Sequence, residues 1–258
     1  MSSGNGDDRL SRMRHSAAHV LATAMLDLFP DAELGIGPPT DDGFYYDFQL
    51  PRALTPDDLQ ALEASMEQHK KSNYTFEYSE HRRNEALAYF KDHNQPFKVE
   101  LINDLPDDET ISYFTSGPFV DLCRGPHVDT TGDIGAFKLL SIAGAYWRGD
   151  EHRPQLQRVY GTAFETEEEL AAHLDQLEEA RRRDHRTLAR DLDLFSINPS
   201  VGAGLVLWHP KGAQIRELLE TYWREEHRKR GYDMVYTCLL YTSDAARRYS
   251  LCRSRWSP

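Results

Sequence analysis

The sequence is short of cysteine, with three among 258 residues. That is an odd number in a chain too long to be a small disulfide scaffold, which leaves metal binding, catalysis or burial as the reading for each thiol. No apolar run approaches the roughly 18 residues of a membrane span. The first residues, MSSGNGDDRL, are polar and acidic and lack the basic and apolar regions of a secretory signal, so a cytoplasmic protein is expected. Net positive charge is also missing: the formal charge is −12, which taken alone counts against a nucleic-acid partner. Net charge is not charge distribution, however, and Arg181, Arg182, Arg183, Arg186 and Arg190 cluster along one expected helix. That run suits an RNA surface or, equally, a solvated helix face paired with Glu178, Glu179 and Asp184. With 40% hydrophobic and 28% charged residues, the composition is that of a globular protein with room for one large domain or two smaller ones.

A polar tail to about Asp8 is expected to precede an amphipathic helix carrying Leu10, Met13, Ala17, Leu21, Met25 and Leu28 at helical spacing, with Pro30 just beyond. Turns around GIGPPTDDG lead to a short aromatic strand, Phe44 to Phe48. A second helix opens with Thr55 as cap, Pro56 in the first position and Asp58 completing a capping box, and buries Leu59, Leu62 and Met66. From Asn73 to Phe164 the runs YTFEY, FKVELI, ISYFT, FVDLC, GAFKLLSIAGAYW and QLQRVYG read as strands, with one helix near Asn84 to His93, which makes an α+β domain. Thr166 and Glu169 then open a charged helix expected to run to Asp193 and to bridge two domains. Beyond it, GAGLVLWHPKG precedes a helix from about Ala213 to Arg230, closed by Gly231, and a strand-like YDMVYT.

Chemistry concentrates in two places. His15 and His19 lie four apart on the first helix, so their imidazoles project from one face. Spacing alone is weak support, because such pairs arise by chance. The second element is Cys123-Arg124-Gly125-Pro126-His127, where Gly and Pro exclude a regular helix and favour a tight turn that brings thiol and imidazole together. Three histidines and a cysteine are competent for tetrahedral zinc or, without metal, for orienting water and shuttling protons at an ester. The bland alternative makes Cys123 a small buried hydrophobe and His127 an exposed loop residue. Asp121, Lys98 and Tyr46 are nearby polar candidates, with ordinary readings as turn residue, strand-edge charge and core aromatic.

The stretches RHSAAH (Arg14 to His19), IGPPTDDGFYYDF, VDLCRGPHV (Val120 to Val128), LLSIAGAYWRGD, LQRVYGTAF and RRRDHRTLARDLDLF resemble threonyl-tRNA synthetases of the bacterial and eukaryotic cytoplasmic type. Together they span most of residues 12–237. The resemblance implies an editing domain at 11–165, of the α+β kind shared with alanyl-tRNA synthetases, after a flexible tail at 1–10. It further implies a linker helix at 166–200 and the start of a class II aminoacylation domain at 201–238. By the same resemblance His15, His19, Cys123 and His127 form the hydrolytic site, with zinc as a candidate ion, Asp121 and Lys98 as further catalytic candidates and Tyr46 lining the substrate pocket. The implied partner is tRNA(Thr) mischarged with serine, and the family's quaternary state is a homodimer.

Cys238 stands where the family continues with proline, and no stretch after it resembles the family's ATP-binding arginine motifs or its Cys/His/His zinc site, so ATP/Mg binding and threonine activation are not expected of this polypeptide. The last twenty residues hold four Arg, four Ser, one Asp and no Glu, Lys, His or Gly. LLYTSDAARR resembles a reading frame continued into non-native DNA, so residues 239–258 are expected not to be evolved protein. No ubiquitin-like domain of the family's usual kind is found before residue 11. Two other readings stand beside the editing one: a free-standing zinc-dependent trans-editing hydrolase, and a non-catalytic tRNA-binding module.

Overall fold

The computed structural model describes residues 4–106, 109–198, 202 and 205–235. The chain divides into two compact units, Met1–Leu177 and Glu178–Pro258. The first begins with α1 (Gly4–Leu28), β1 (Glu33–Leu34), β2 (Pro39–Thr40), β3 (Gly43–Gln49) and α2 (Pro56–Ser72). It continues through β4 (Phe76–His81), α3 (Arg83–Asp92), α4 (Pro96–Asp104), β5 (Ile111–Ser116), β6 (Phe119–Leu122), β7 (Ala136–Tyr146), β8 (Gln155–Phe164) and most of α5 (Glu167–Arg182).

Two antiparallel sheets organise this unit. One has the order β1-β3-β8-β7 with β2 added on β3, and the other is β4-β5-β6. In the larger sheet Phe44 pairs with Gly161 and Phe48 with Gln157, and a register shift interrupts β7 between Leu139 and Ser141. α1 packs against β3, β8 and α2 because Met13, Ala17, Leu21 and Met25 recur on one face, each at most 1% exposed. They meet Phe44, Phe48, Leu62, Met66 and Val159 in the main core, where each large apolar side chain contributes about 1.5–3 kcal/mol by leaving water. A smaller core of Ala86, Phe90, Ile102, Ile111 and Tyr113 joins α3 and α4 to β5.

The sequence signals at α2 operate as expected: Asp58 N–H donates to Thr55 Oγ1, the Asp58 carboxylate accepts from Thr55 N–H, and Pro56 occupies the first turn. Four expectations need correction. The polar stretch before Arg9 is helical from Gly4 in spite of Gly6, with no proline to stop the helix of the amphipathic run from extending back into it. FKVELI is not a strand but most of α4. Pro96 sits in the first turn and the buried residues Phe97, Lys98 and Ile102 recur at helical spacing, so burial overrides the strand preference of Phe, Val and Ile. The charged helix does not reach Asp193. It stops at Arg182, and Asp184, whose side chain accepts from Arg186 N–H, caps a separate α6 (His185–Asp191). At its start the box is offset by one residue: Thr166 Oγ1 accepts from Glu169 N–H, while the Glu169 carboxylate accepts from Glu165 N–H.

In the second unit, β9 (Phe195–Ile197) pairs antiparallel with β10 (Val206–Trp208), and α7 (Pro210–Lys229) follows. α7 starts three residues before Ala213 because Pro210 is pre-shaped for a first helical position. Gly231, at φ +79°, follows its end. The fourth correction falls here: residues 232–235 of the strand-like YDMVYT are irregular. Its remainder, Cys238 and the expected tail at 239–258 lie outside the described residues. Among the clustered arginines, Arg182 and Arg183 pair with Glu179, Arg186 with Asp184 and Arg190 with Asp191. These arginine side chains are 70–79% exposed, so solvent screens the pairs and they add little to stability.

Candidate functional site

α1 supplies two of the site's imidazoles from the side roughly opposite its Met13, Ala17, Leu21 and Met25 row, since 15 and 19 fall half a turn away from 13 and 17. Arg14 locks this helix in place: its side chain is 5% exposed, Nε donates to Ala163 O of β8 at 3.3 Å, and Nη1 donates to Asp41 O. His15 and His19 therefore project toward the end of β6, where Cys123 leaves the strand. Cys123 stays tied to β5 through its N–H to Ser112 O (3.1 Å) and through Ser112 Oγ to its own carbonyl (2.7 Å).

The turn from Cys123 to His127 reverses the chain through Gly125 at φ +70° and a cis Gly125–Pro126 bond. A Cβ on Gly125 would lie 2.8 Å from the Phe114 ring, so both the backbone conformation and the space require glycine. Gly125 N–H donates to Cys123 Sγ at 3.2 Å. The His127 ring stacks on Phe76 (4.8 Å, 3°) and also touches Phe114, with centroids 4.4 Å apart.

The structure brings all four candidate ligand residues together. One donor atom each from His15, His19, Cys123 and His127 lies within 4.8 Å of the others. Cys123 Sγ is 3.3 Å from His15 Nε2 and 3.3 Å from His127 Nε2. Tetrahedral zinc, with bonds of about 2.0–2.3 Å, would hold such atoms about 3.5 Å apart. His19 Nδ1 is buried with no hydrogen-bond partner among the described residues, an orphaned nitrogen of the sort a cation or a substrate proton would satisfy. The donor set and the spacing thus fit a metal ion.

Burial is the main cause of every shifted proton in the cluster. It lowers His15, where the Pro126 carbonyl works in the opposite direction, and it lowers His19 and His127 well below the usual imidazole range, with the neighbouring histidines adding to the effect. Burial also pushes the Cys123 thiol up to about 12. Without metal, the cluster is three neutral rings and a neutral thiol. His15 is the ring least enclosed, whereas His19 and His127 are 2% and 9% exposed.

Asp121, Lys98 and Tyr46 form a second buried group beside the first. Lys98, reaching in from α4 rather than from a strand edge, pairs with Asp121. Tyr46 OH donates to Asp121 Oδ2 at 2.6 Å and accepts from Lys98 Nζ at 3.0 Å. His19 Nε2 lies 3.9 Å from Asp121 Oδ2, which links the two groups. Tyr46 is fully buried and stacked on Phe48, and a Cβ on Gly37 would strike its ring at 2.0 Å. A cavity of about 180 Å³ opens next to Cys123, lined by Leu101, Leu105, Ile111, Ser112, Leu122 and Arg124 among others.

Residue patterns had not pointed to three neighbours of His127: Ser16, Phe76 and Phe114. Ser16 lies inside RHSAAH, between the two histidines that drew notice, and its hydroxyl is 3.0 Å from His127 Nδ1.

Residues 112–160, which hold Cys123 and His127 but neither histidine of α1, match the family described as "Threonyl and Alanyl tRNA synthetase second additional domain". A threonine–tRNA ligase of Dehalococcoides mccartyi is 58% identical to this chain over 228 residues, 88% of this chain and 39% of that protein. The chain belongs to the threonyl-tRNA synthetase family. Threonine–tRNA ligases of Maridesulfovibrio salexigens (55% over 231 residues) and Acidithiobacillus ferrooxidans (50% over 230 residues) are similar to 90% and 89% of it. The chain spans under two fifths of the length of these synthetases, 36–39%. No helix among the described residues is long and apolar enough to cross a membrane.

Proposed function

We propose that the first unit hydrolyses the ester of tRNA(Thr) mischarged with serine. The observation that carries this reading is the meeting of His15, His19, Cys123 and His127 beside the buried Lys98–Asp121–Tyr46 group. The need for such a site follows from size: one missing methyl gives a pocket built for threonine only about 1–3 kcal/mol with which to reject serine, so a second site must remove it.

His15 is the proposed base. Its Nδ1 lies 3.2 Å from the Pro126 carbonyl, which can only accept, so that nitrogen holds the proton and Nε2 keeps the lone pair. Nε2 takes a proton from water as the water oxygen attacks the ester carbonyl. The C–O bond to the 3′-terminal ribose then breaks, its electron pair stays on the ribose oxygen, and the imidazolium returns the proton there, releasing serine. The first two partners of the Lys98 ammonium are Asp121 and Tyr46, so the proposed part of Lys98 is to hold Asp121 beside His19. Zinc, where present, would be held by His15, His19, Cys123 and His127 and would supply Lewis acidity only with one of these positions given up to water or the carbonyl; the part of His15 as base belongs to the metal-free site.

The test is the deacylation rate of Ser-tRNA(Thr) by the purified 258-residue chain, with Thr-tRNA(Thr) and the His15→Ala/His19→Ala variant as controls. Selective, histidine-dependent serine release is expected, with threonine-dependent pyrophosphate exchange at background. No release from folded, tRNA-binding protein would leave a binding module in place of the hydrolase.

A further inference from the structure

Ser16 is completely buried on α1 and has three polar neighbours. Its Oγ lies 2.9 Å from Arg12 O, 3.0 Å from His127 Nδ1 and 3.1 Å from Val128 N. A hydroxyl brings one proton and two acceptor positions. Val128 N–H can only donate and the Arg12 carbonyl can only accept, so two of the three roles are assigned by the partners. If the hydroxyl proton went to His127 instead, Oγ and Arg12 O would face each other at 2.9 Å with no proton between them. Each of the three contacts holds one proton only when His127 donates from Nδ1.

We propose that Ser16 is a positioning residue that fixes His127 as the Nδ1–H tautomer and so leaves His15 free to act as base. The link between the two rings is Cys123. Its sulfur sits 3.3 Å from both Nε2 atoms, and a thiol has a single proton to offer. With His127 held as Nδ1–H, its Nε2 is an acceptor, and the thiol proton is taken by this more deeply buried ring. The His15 Nε2 lone pair then stays available to water. With His127 as Nε2–H, that nitrogen would donate to sulfur, the thiol would turn to His15, and the lone pair of the base would be occupied. The same tautomer presents Nε2 of His127 to a metal; with an ion held by all four residues His15 would be a ligand, and only the orientation of His127 would remain as the part of Ser16.

The consequence for turnover rests on the hydrolase reading above, but the tautomer itself does not. It is read by long-range ¹H–¹⁵N correlation on the metal-free full chain labelled at histidine ring nitrogens, with His127→Gln to assign the signals. The expected wild-type spectrum shows His127 protonated at Nδ1. Ser16→Ala should shift the ring toward Nε2–H, and Ser16→Thr, which keeps the hydroxyl, should restore it. In serine release, Ser16→Ala should lower kcat about 10–100-fold at unchanged KM, with recovery in Ser16→Thr. A wild-type His127 protonated at Nε2 would overturn the proposal even if no variant folds, and so would a ring unchanged in folded Ser16→Ala. Absence of serine release by the wild type, with the expected spectra, would remove the hydrolase reading and leave the tautomer assignment standing.

Discussion

Lys98 of α4 and Asp121 of β6 meet as an ion pair with side chains 2% and 3% exposed, and Tyr46 OH bonds to both. Charges this deep are tolerated because each is matched by the other, so removing one is worse than removing both. Lys98→Met is expected to destabilise the protein by about 3–5 kcal/mol, and Lys98→Met/Asp121→Leu to recover much of that loss. Urea denaturation of the two variants against the wild type checks this; a double variant weaker than the single would contradict it.

Stability should fall on acidification more steeply than surface histidines would allow. Burial lowers His15, His19 and His127 in the folded protein, so the unfolded chain binds more protons once pH drops below about 6.5. The stabilisation is therefore complete above that value and is lost as pH falls toward the folded-state values, by up to about 1.4 kcal/mol per pH unit for each ring. Cys123 acts at the other end. Its proton is held to about 12, so stability declines as pH rises above its ordinary value of 9. Unfolding free energies of metal-free protein at pH 7.5 and 5.5 should differ less in His127→Ala than in the wild type.

Cobalt(II) offers a direct reading of the metal site. Titration into metal-free protein should develop a thiolate-to-cobalt charge-transfer band that zinc removes and Cys123→Ala lacks. Zinc at 100 times its Kd should also stabilise the fold by about 2.7 kcal/mol. A cobalt spectrum with only nitrogen and oxygen ligands would exclude the four-residue site.

Gly125→Ala should damage the site more than the bulk of the fold. The substitution forces a left-handed φ of +70° on a residue with a side chain and drives that side chain into Phe114. A cost of about 1–3 kcal/mol is expected, together with a displaced His127 and loss of the cobalt–thiolate band. Retention of both wild-type stability and the band would show that the turn is not what aligns the cluster.

The signals that sequence carried were local ones. Thr55, Pro56 and Asp58 announced α2, and the four-residue spacing of His15 and His19 placed two rings on one helix face. Their meeting with Cys123 and His127 depends on how α1 docks against the sheet, which no local pattern encodes. FKVELI shows the opposite failure: its β-branched and aromatic residues read as strand until Pro96 and the burial of Phe97, Lys98 and Ile102 are considered. Lys98 was singled out as a site residue while its element was misjudged. Ser16 went unnoticed because serine inside a helix usually bonds only its own backbone, as it does to Arg12 O. Its second bond, to His127 across 111 positions of chain, is a tertiary fact.

Arg9, early in α1, pairs with Glu165, the residue after β8, at 3.6 Å. The two edges of the fold that carries the candidate site are thus side by side. Folds with neighbouring edges survive transplantation, since a host chain can lead in and out of them without being stretched apart. A graft of residues 9–165 into an exposed loop of an unrelated carrier should therefore keep the His–Cys cluster intact, making the site a portable cassette.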